Sequence, residues 1–311
     1  MRVLAIATPR FALPTLEELA AASDVELTAL LTNPDRPRGR GLAPAPPAAK
    51  EWAQERALPV YQPEKLTREE VGAFADLDLG VEAVVVVASA FFVPRWLRER
   101  PPLGAVNLHP SLLPALRGAA PINWAIINGL AVTGVTTMFL AQEIDAGDIL
   151  LQREIPLRTR ETAGTLAPRL AQVGAELVLA TLRGLEGGTV KPRPQEATHV
   201  THAPKITAET RAVDWARPAE ALDRLVRGLY PDFPARATVG GDFVQLLEAE
   251  PAAGKRGAAP GTVVAVEREG LIVACGEGAL RLLRVKPAGR QDMTGRAFAV
   301  GRRLTPGDRL A

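Results

Sequence analysis

The chain opens with an uninterrupted apolar run, RVLAIA (Arg2 to Ala7), of a length suited to a buried strand. The period then changes. In LPTLEELAAA the residues Leu13, Leu16, Leu19 and Ala20 fall on one helical face, and Glu17 and Glu18 take the polar side. VELTALLT (Val25 to Thr32) predicts a second strand, so the chain begins β-α-β. A helix is expected over about Lys50 to Arg56, then the short run LPVYQP, a helix through REEVGAFA, and the strand AVVVVAS from Ala83. GAVNLH (Gly104 to His109) predicts another strand, PINWAIING a helix with proline in its first turn, and GVTTMFLA (Gly134 to Ala141) and ILLQREIPL two more strands. A long helix is expected roughly from Thr162 to Leu185. Strands that are apolar throughout and alternate with helices predict an α/β fold with a mainly parallel, Rossmann-like sheet covered on both faces.

Two stretches break this rhythm. NPDRPRGRGLAPAPPAAK, from Asn33 to Lys50, has no packing period, and a loop of that length is either functional or disordered. GLEGGTVKPRPQEATHVTHAPKIT, from Gly184 to Thr207, reads as a connector between domains. Beyond it DWARPAEALDRLVRGL is an amphipathic helix, and short apolar runs with glycine turns at about ten-residue spacing predict a small antiparallel, OB-like β-barrel. The expected division is therefore a catalytic domain over residues 1–188, a linker over 189–208 and a C-terminal barrel over 209–311.

At 311 residues and 47% apolar content the chain can bury a sizeable core. The apolar runs stay strand-sized, well short of the roughly 20 residues a bilayer span needs, and MRVLAIATPRF meets Pro9 and Arg10 too early for a secretory signal. The expectation is a cytoplasmic protein with no membrane association. The single cysteine, Cys275, excludes an internal disulfide and reads as an inert buried thiol. Charge is unevenly spread: residues 1–203 hold 20 basic against 22 acidic side chains, and Arg281 to Ala311 alone holds 8 against 2. A basic end on a near-neutral body fits an anionic partner, and it fits equally a solvated arginine-rich face.

The candidate chemistry sits in NLHPSLLPALRGAAP, Asn107 to Pro121. The first β-α turn, ATPRF, lacks the glycines that admit a pyrophosphate, so NAD is not expected, and there is no P-loop for ATP. In an open α/β sheet the reaction site lies beyond the strand carboxyl ends, where His109 falls, and two adjacent strand ends would bring Asp145 of EIDAGD to it. Taken alone, a strand-end histidine is more often structural than catalytic. Here Asn107 precedes it on the same strand face, and Asp145 is a carboxylate able to orient the ring. An amide and an imidazolium together stabilise an oxyanion on a tetrahedral carbon. No serine or cysteine sits in a nucleophile elbow, so the attacking atom belongs to a substrate and the reaction is group transfer. A metal held by His109 and Asp145 is the competing idea, but His199 and His202 lie in the connector and the usual third ligand is missing, so no metal is expected.

NLHPSLLPALRGAAPI followed by IDAGDIL resembles the folate-dependent formyltransferases, whose pattern is Asn-x-His, Ser-Leu-Leu-Pro and a distant Asp-x-Gly. The likeness runs nearly the whole length: NPDRPRGRG early, THAPKI in the connector, DW after it and VKPAGRQDM near the end. The resemblance implies that Asn107, His109 and Asp145 form the catalytic set, and that Ser111, Leu112, Leu113 and Pro114 form the loop holding 10-formyltetrahydrofolate. It implies transfer of the formyl group to the α-amine of methionyl initiator tRNA, with Arg36, Arg38 and Arg40 of RPRGRG contacting the tRNA. A monomer without metal or NAD is expected. Ala88, Ser89 and Ala90 depart from the family's Ala-Tyr-Gly, with Phe91 or Phe92 available to fill the space; LAPAPP stands where lysines are usual, and Arg10 has no assigned role. The competing readings are a sugar-nucleotide formyltransferase of the same family and a non-catalytic RNA-binding protein built on the basic barrel.

Overall fold

The computed structural model describes residues 1–38, 43–74, 77, 78, 80–254 and 257–311. Met1–Gly118, Val132–Pro156 and Ala167–His202 form one compact unit; Ala119–Ala131, Leu157–Leu166 and Ala203–Ala311 form a second.

In chain order the first unit carries β1 (Arg2–Ala7), α1 (Leu13–Ala21), β2 (Glu26–Leu31), β3 (Arg36–Arg38), β4 (Ala43–Ala45), α2 (Ala48–Gln54), β5 (Val60–Tyr61), α3 (Arg68–Gly72), β6 (Ala83–Val87), α4 (Arg95–Arg98) and β7 (Ala105–His109). Then follow α5 (Pro121–Ile127), assigned to the second unit, β8 (Val132–Phe139), β9 (Ile149–Pro156) and α6 (Ala163–Glu186). The main sheet has seven strands in the order β5-β2-β1-β6-β7-β8-β9. Strands β5, β2, β1, β6 and β7 run parallel, and β8 and β9 are antiparallel to their neighbours. The expected mainly parallel sheet is therefore present. Val3 to Ala7 and Ala83 to Val87 are buried along their whole length, the burial that an apolar run without alternation demands.

The long loop after β2 holds a short antiparallel pairing, β3 with β4, and Asp35 at its root accepts hydrogen bonds from Lys50 Nζ at 2.8 Å and Gln62 Nε2 at 2.8 Å. Helix α6 lies close to β7 because Gly174 lacks a side chain: a Cβ there would sit 2.6 Å from Leu108 Cδ2. Leu108 thus points to the helix, and its neighbours Asn107 and His109 point to the opposite face.

The second unit adds α7 (Ala208–Arg211), α8 (Ala219–Leu229), β10 (Ala235–Val239), β11 (Asp242–Ala252), β12 (Val263–Val266), β13 (Leu271–Ala274), β14 (Ala279–Pro287), β15 (Met293–Thr294) and α9 (Gly295–Gly301). Its sheet is antiparallel, in the order β10-β11-β14-β13-β12, with β15 paired to β14. The last residues join the two outer strands: Ala311 bonds Thr238 of β10, and Asp308 accepts from Val263 of β12. That ties the sheet into the barrel-like ring its turn spacing predicts. Leu222, Leu225, Val226 and Leu229 of α8 pack into the same core as Leu246, Leu280 and Val285. Cys275 is buried there, and desolvation pushes its thiol up to about 11, as expected of an unreactive cysteine.

Candidate active site

The last residue of β7, His109, is buried, and its ring is held at one nitrogen. Nε2 lies 3.0 Å from the carbonyl oxygen of Leu116. A carbonyl only accepts, so Nε2 carries the proton, and Nδ1 is the nitrogen free to take one. Nδ1 faces Asp145 Oδ1 at 3.6 Å. An ionised carboxylate and an unprotonated Nδ1 are both acceptors. A proton delivered between them is attracted by both.

Strand β8 is antiparallel to β7, with Val106 opposite Phe139 and His109 opposite Thr136. Its carboxyl end therefore lies beside the start of β7, about 10 Å along the strand from His109. The expectation of two adjacent carboxyl ends is corrected by this pairing: residues 140–145 fold back along β7 to deliver Asp145. Gly147 makes the reversal possible, since a Cβ there would lie 1.8 Å from the Phe139 carbonyl oxygen. Asp145 itself has φ +54°, and its Oδ2 accepts from the Gly118 amide at 2.8 Å.

Gln195 clamps the loop from behind. Its Nε2 donates to the carbonyls of Asp145 at 2.8 Å and Gly147 at 2.7 Å, and its Oε1 accepts from Arg117 Nε at 3.0 Å and Nη2 at 2.7 Å. Sequence reasoning placed Gln195 in a featureless connector and missed it. Its one legible signal was an amide followed by two histidines in a stretch otherwise built of turn residues.

Ser111 to Pro114 are fixed from the side of β8 and β9. Ser111 is buried and its Oγ donates to Ala115 O at 2.6 Å; Thr136 Oγ1 donates to Ser111 O at 2.6 Å and accepts from the Leu113 amide at 3.1 Å; Gln152 Nε2 donates to Leu113 O at 2.9 Å. The main chain from 111 to 116 is thereby locked, and with it the carbonyl that holds His109.

Beside these groups lies a cavity of 260 Å³ walled by Ser89 to Val93, Val86, Asn107 and Leu140 to Asp145. Among the described residues the Asn107 carboxamide makes no hydrogen bond, and it faces this cavity. Phe92 (66% exposed) and Ile144 (76% exposed) stand at its mouth, and Phe91 completes the wall beside Ser89. Asn107, His109 and Asp145 are thus brought to one place. Arg36 lies elsewhere, pairing with Glu64 at 2.7 Å; Arg38 is within β3; Arg40 lies outside the described residues. Among the described residues no group of three histidine, cysteine or acidic side chains is disposed to hold a metal ion, and no helix is long and apolar enough to cross a membrane.

The pattern of the family described as formyl transferase matches residues 1–182, and that of the formyl transferase C-terminal domain matches residues 205–303. The methionyl-tRNA formyltransferase of Solibacter usitatus is 43% identical over 310 residues, covering 100% of this chain and 98% of that protein. That of Heliobacterium modesticaldum is 41% identical, with 100% of both covered. Among solved structures, the N-formyltransferase from Helicobacter canadensis aligns with a TM-score of 0.66 at 14% identity, covering 90% of this chain and 98% of that one. HypX from Aquifex aeolicus aligns at 0.62 and 20% identity over 96% of this chain, which spans only 48% of the HypX chain. At those identities the two structures speak for the fold alone.

The Gly118 amide reports on the seating of the loop, because its acceptor is Asp145. In Gly147→Ala its hydrogen exchange is expected to speed up at least tenfold, the Phe139 carbonyl being in the way; unchanged protection would show that the loop tolerates the side chain. Gln195→Ala strands Arg117 and two carbonyls and should cost about 1–3 kcal/mol, read as a lower midpoint in urea.

Proposed function

The chain belongs to the methionyl-tRNA formyltransferases, and from that premise we propose how its residues divide the work. The reaction moves the formyl group of 10-formyltetrahydrofolate to the α-amine of methionyl initiator tRNA. One observation carries the division of roles: an acceptor pair, His109 Nδ1 and Asp145 Oδ1 at 3.6 Å, beside a cavity into which Asn107 offers an unused amide.

The cavity suits the folate's fused ring. Val86, Phe91, Val93 and Leu140 give apolar walls, and Gln142, Glu143 and Asp145 give polar edges. When bound, the folate supplies a formyl group on a nitrogen that can depart as an amine. Asn107 donates from Nδ2 to the formyl oxygen as negative charge builds on it, and His109, once its Nδ1 has taken the amine's proton, adds positive charge on the same side. The attacking amine must shed a proton. His109 Nδ1 and Asp145 take it between them, and the imidazole passes it to the departing nitrogen. Ser111, Leu112, Leu113 and Pro114 serve the donor site through their locked main chain, which holds the Leu116 carbonyl and so fixes which ring nitrogen works.

Arg36, Arg38 and Arg40 contact the acceptor end of the tRNA. The Arg36–Glu64 pair is exposed on both sides, so it is weak and readily exchanged for a phosphate. In this reading residues 1–188 are catalytic, 189–208 link, and 209–311 form the tRNA-binding barrel, in keeping with the matched segments 1–182 and 205–303. The protein acts as a monomer in the cytoplasm.

The deciding assay offers 10-formyltetrahydrofolate with methionylated initiator or elongator tRNA; formylation of neither would end the reading. His109→Ala, Asp145→Asn and Asn107→Ala are each expected to lower kcat by roughly 10²-fold or more with the fold intact, and wild-type turnover in any of them would remove that residue from the set. Arg40→Ala should raise KM for tRNA and leave folate binding unchanged; equal damage to both would make the loop structural.

A further inference from the structure

A second set of charged residues, all within the second unit, lines a concavity of 570 Å³. It contains four arginines, Arg158, Arg160, Arg224 and Arg227, against two acids, Glu220 and Asp223. Asp223 is buried on α8 and fully used: Arg160 Nη1 donates to Oδ1 at 2.6 Å and Arg227 Nε to Oδ2 at 2.9 Å. The two guanidiniums are further fixed by main-chain acceptors, Ala249 O for Arg160 and Glu161 O at 2.8 Å for Arg227. One buried carboxylate thus holds two cations in place and leaves net positive charge behind.

Arg224 is different. Its Nε is buried without a hydrogen-bond partner, and it forms no ion pair among the described residues. That N–H is packed against Gly129, and the Nη groups of Arg224 likewise make no hydrogen bond among the described residues, so the outer fork of the guanidinium has donors to offer. Gly129, at φ +69°, keeps the space Arg224 occupies: a Cβ there would meet Arg224 Cδ at 2.9 Å and Nε at 3.0 Å. Arg158 stands exposed on the rim, likewise with no ion pair among the described residues.

We propose that this concavity binds a phosphate group. Arg224 and Arg158 supply the free donors, and Arg160 and Arg227 supply the fixed positive field. The planar guanidinium fork matches a tetrahedral oxyanion in shape and charge, and four such groups outweigh the single unpaired acid, Glu220. The phosphate is either a backbone phosphate of the tRNA substrate or that of a small free compound; the chemistry recognised is the same.

The test uses the intact protein, Arg224→Gln and Arg158→Gln, all three checked for native circular dichroism. Arg158 is exposed, so its variant stays folded even if the other does not. The first arm titrates inorganic pyrophosphate by calorimetry; the second measures KM for methionyl-tRNA across a salt series. A tenfold loss of pyrophosphate binding with unchanged KM upholds a site for a small phosphate compound. A raised KM, with the slope of log affinity against log salt reduced by about 1, upholds a tRNA phosphate. If folded variants match the wild type in both arms, the proposal is overturned. The calorimetric arm needs no formyl transfer, so it stands apart from the functional reading above.

Discussion

The site depends on which nitrogen of one imidazole is committed. Leu116 O accepts a hydrogen bond from Nε2 of His109, and that single hydrogen bond turns Nδ1 toward Asp145. Everything that holds Leu116 therefore acts on the chemistry at one remove: Thr136 and Gln152 pin Ser111 and Leu113, and Thr201 Oγ1 accepts from the Leu116 amide at 2.9 Å. A rotation of the loop would free Nε2, allow the other tautomer and turn a proton acceptor into a donor at the same position.

The backbone pays conformationally for this arrangement. Ala88, Leu116 and Asp145 all adopt positive φ, at +46°, +60° and +54°, although none is glycine. Each such conformation costs of order 1–3 kcal/mol and persists only where the surroundings over-determine it. Here the surroundings do: Asp145 is held through its side chain by Gly118 and through its carbonyl by Gln195, and Leu116 through its amide and its carbonyl. Asp145 lines the cavity, Ala88 precedes its wall at Ser89, and Leu116 holds the imidazole beside it.

Much of this was legible in the chain itself. Continuous apolar runs identified β1, β6 and β7 because a strand buried on both faces has no alternation to hide, and Asn107 and His109 share a face by the two-residue period alone. Strand direction was not legible. Nothing in GVTTMFLA distinguishes a parallel from an antiparallel strand, so the fold-back that brings Asp145 home had to come from the pairing of Val106 with Phe139. Gln195 was invisible for a related reason. It acts 50 residues from Asp145 in the chain, through an amide that any polar connector might carry. Local pattern reports on local contacts, and the loop clamp is a long-range one.

Charge shows the same limit from the other side. The basic end of the chain, taken as a count, promises an anion-binding tail, yet three of its eight basic side chains are answered by acids within the fold. Arg281 meets Glu250 at 2.6 Å, Glu267 at 3.1 Å and Glu269 at 3.4 Å; Arg284 meets Asp292 at 2.5 Å; Arg302 meets Asp242 at 2.8 Å. Several of these pairs are half-exposed and individually worth little, but they lower the local field that a partner would feel. Arg224 and Arg158 lie outside the tail, where the count drew no notice, and they retain unpaired positive charge beside a fixed carboxylate. The availability of a cation is decided by its neighbours in space, and those neighbours are set by the register of the strands and the turn of α8 rather than by the run of residues around it.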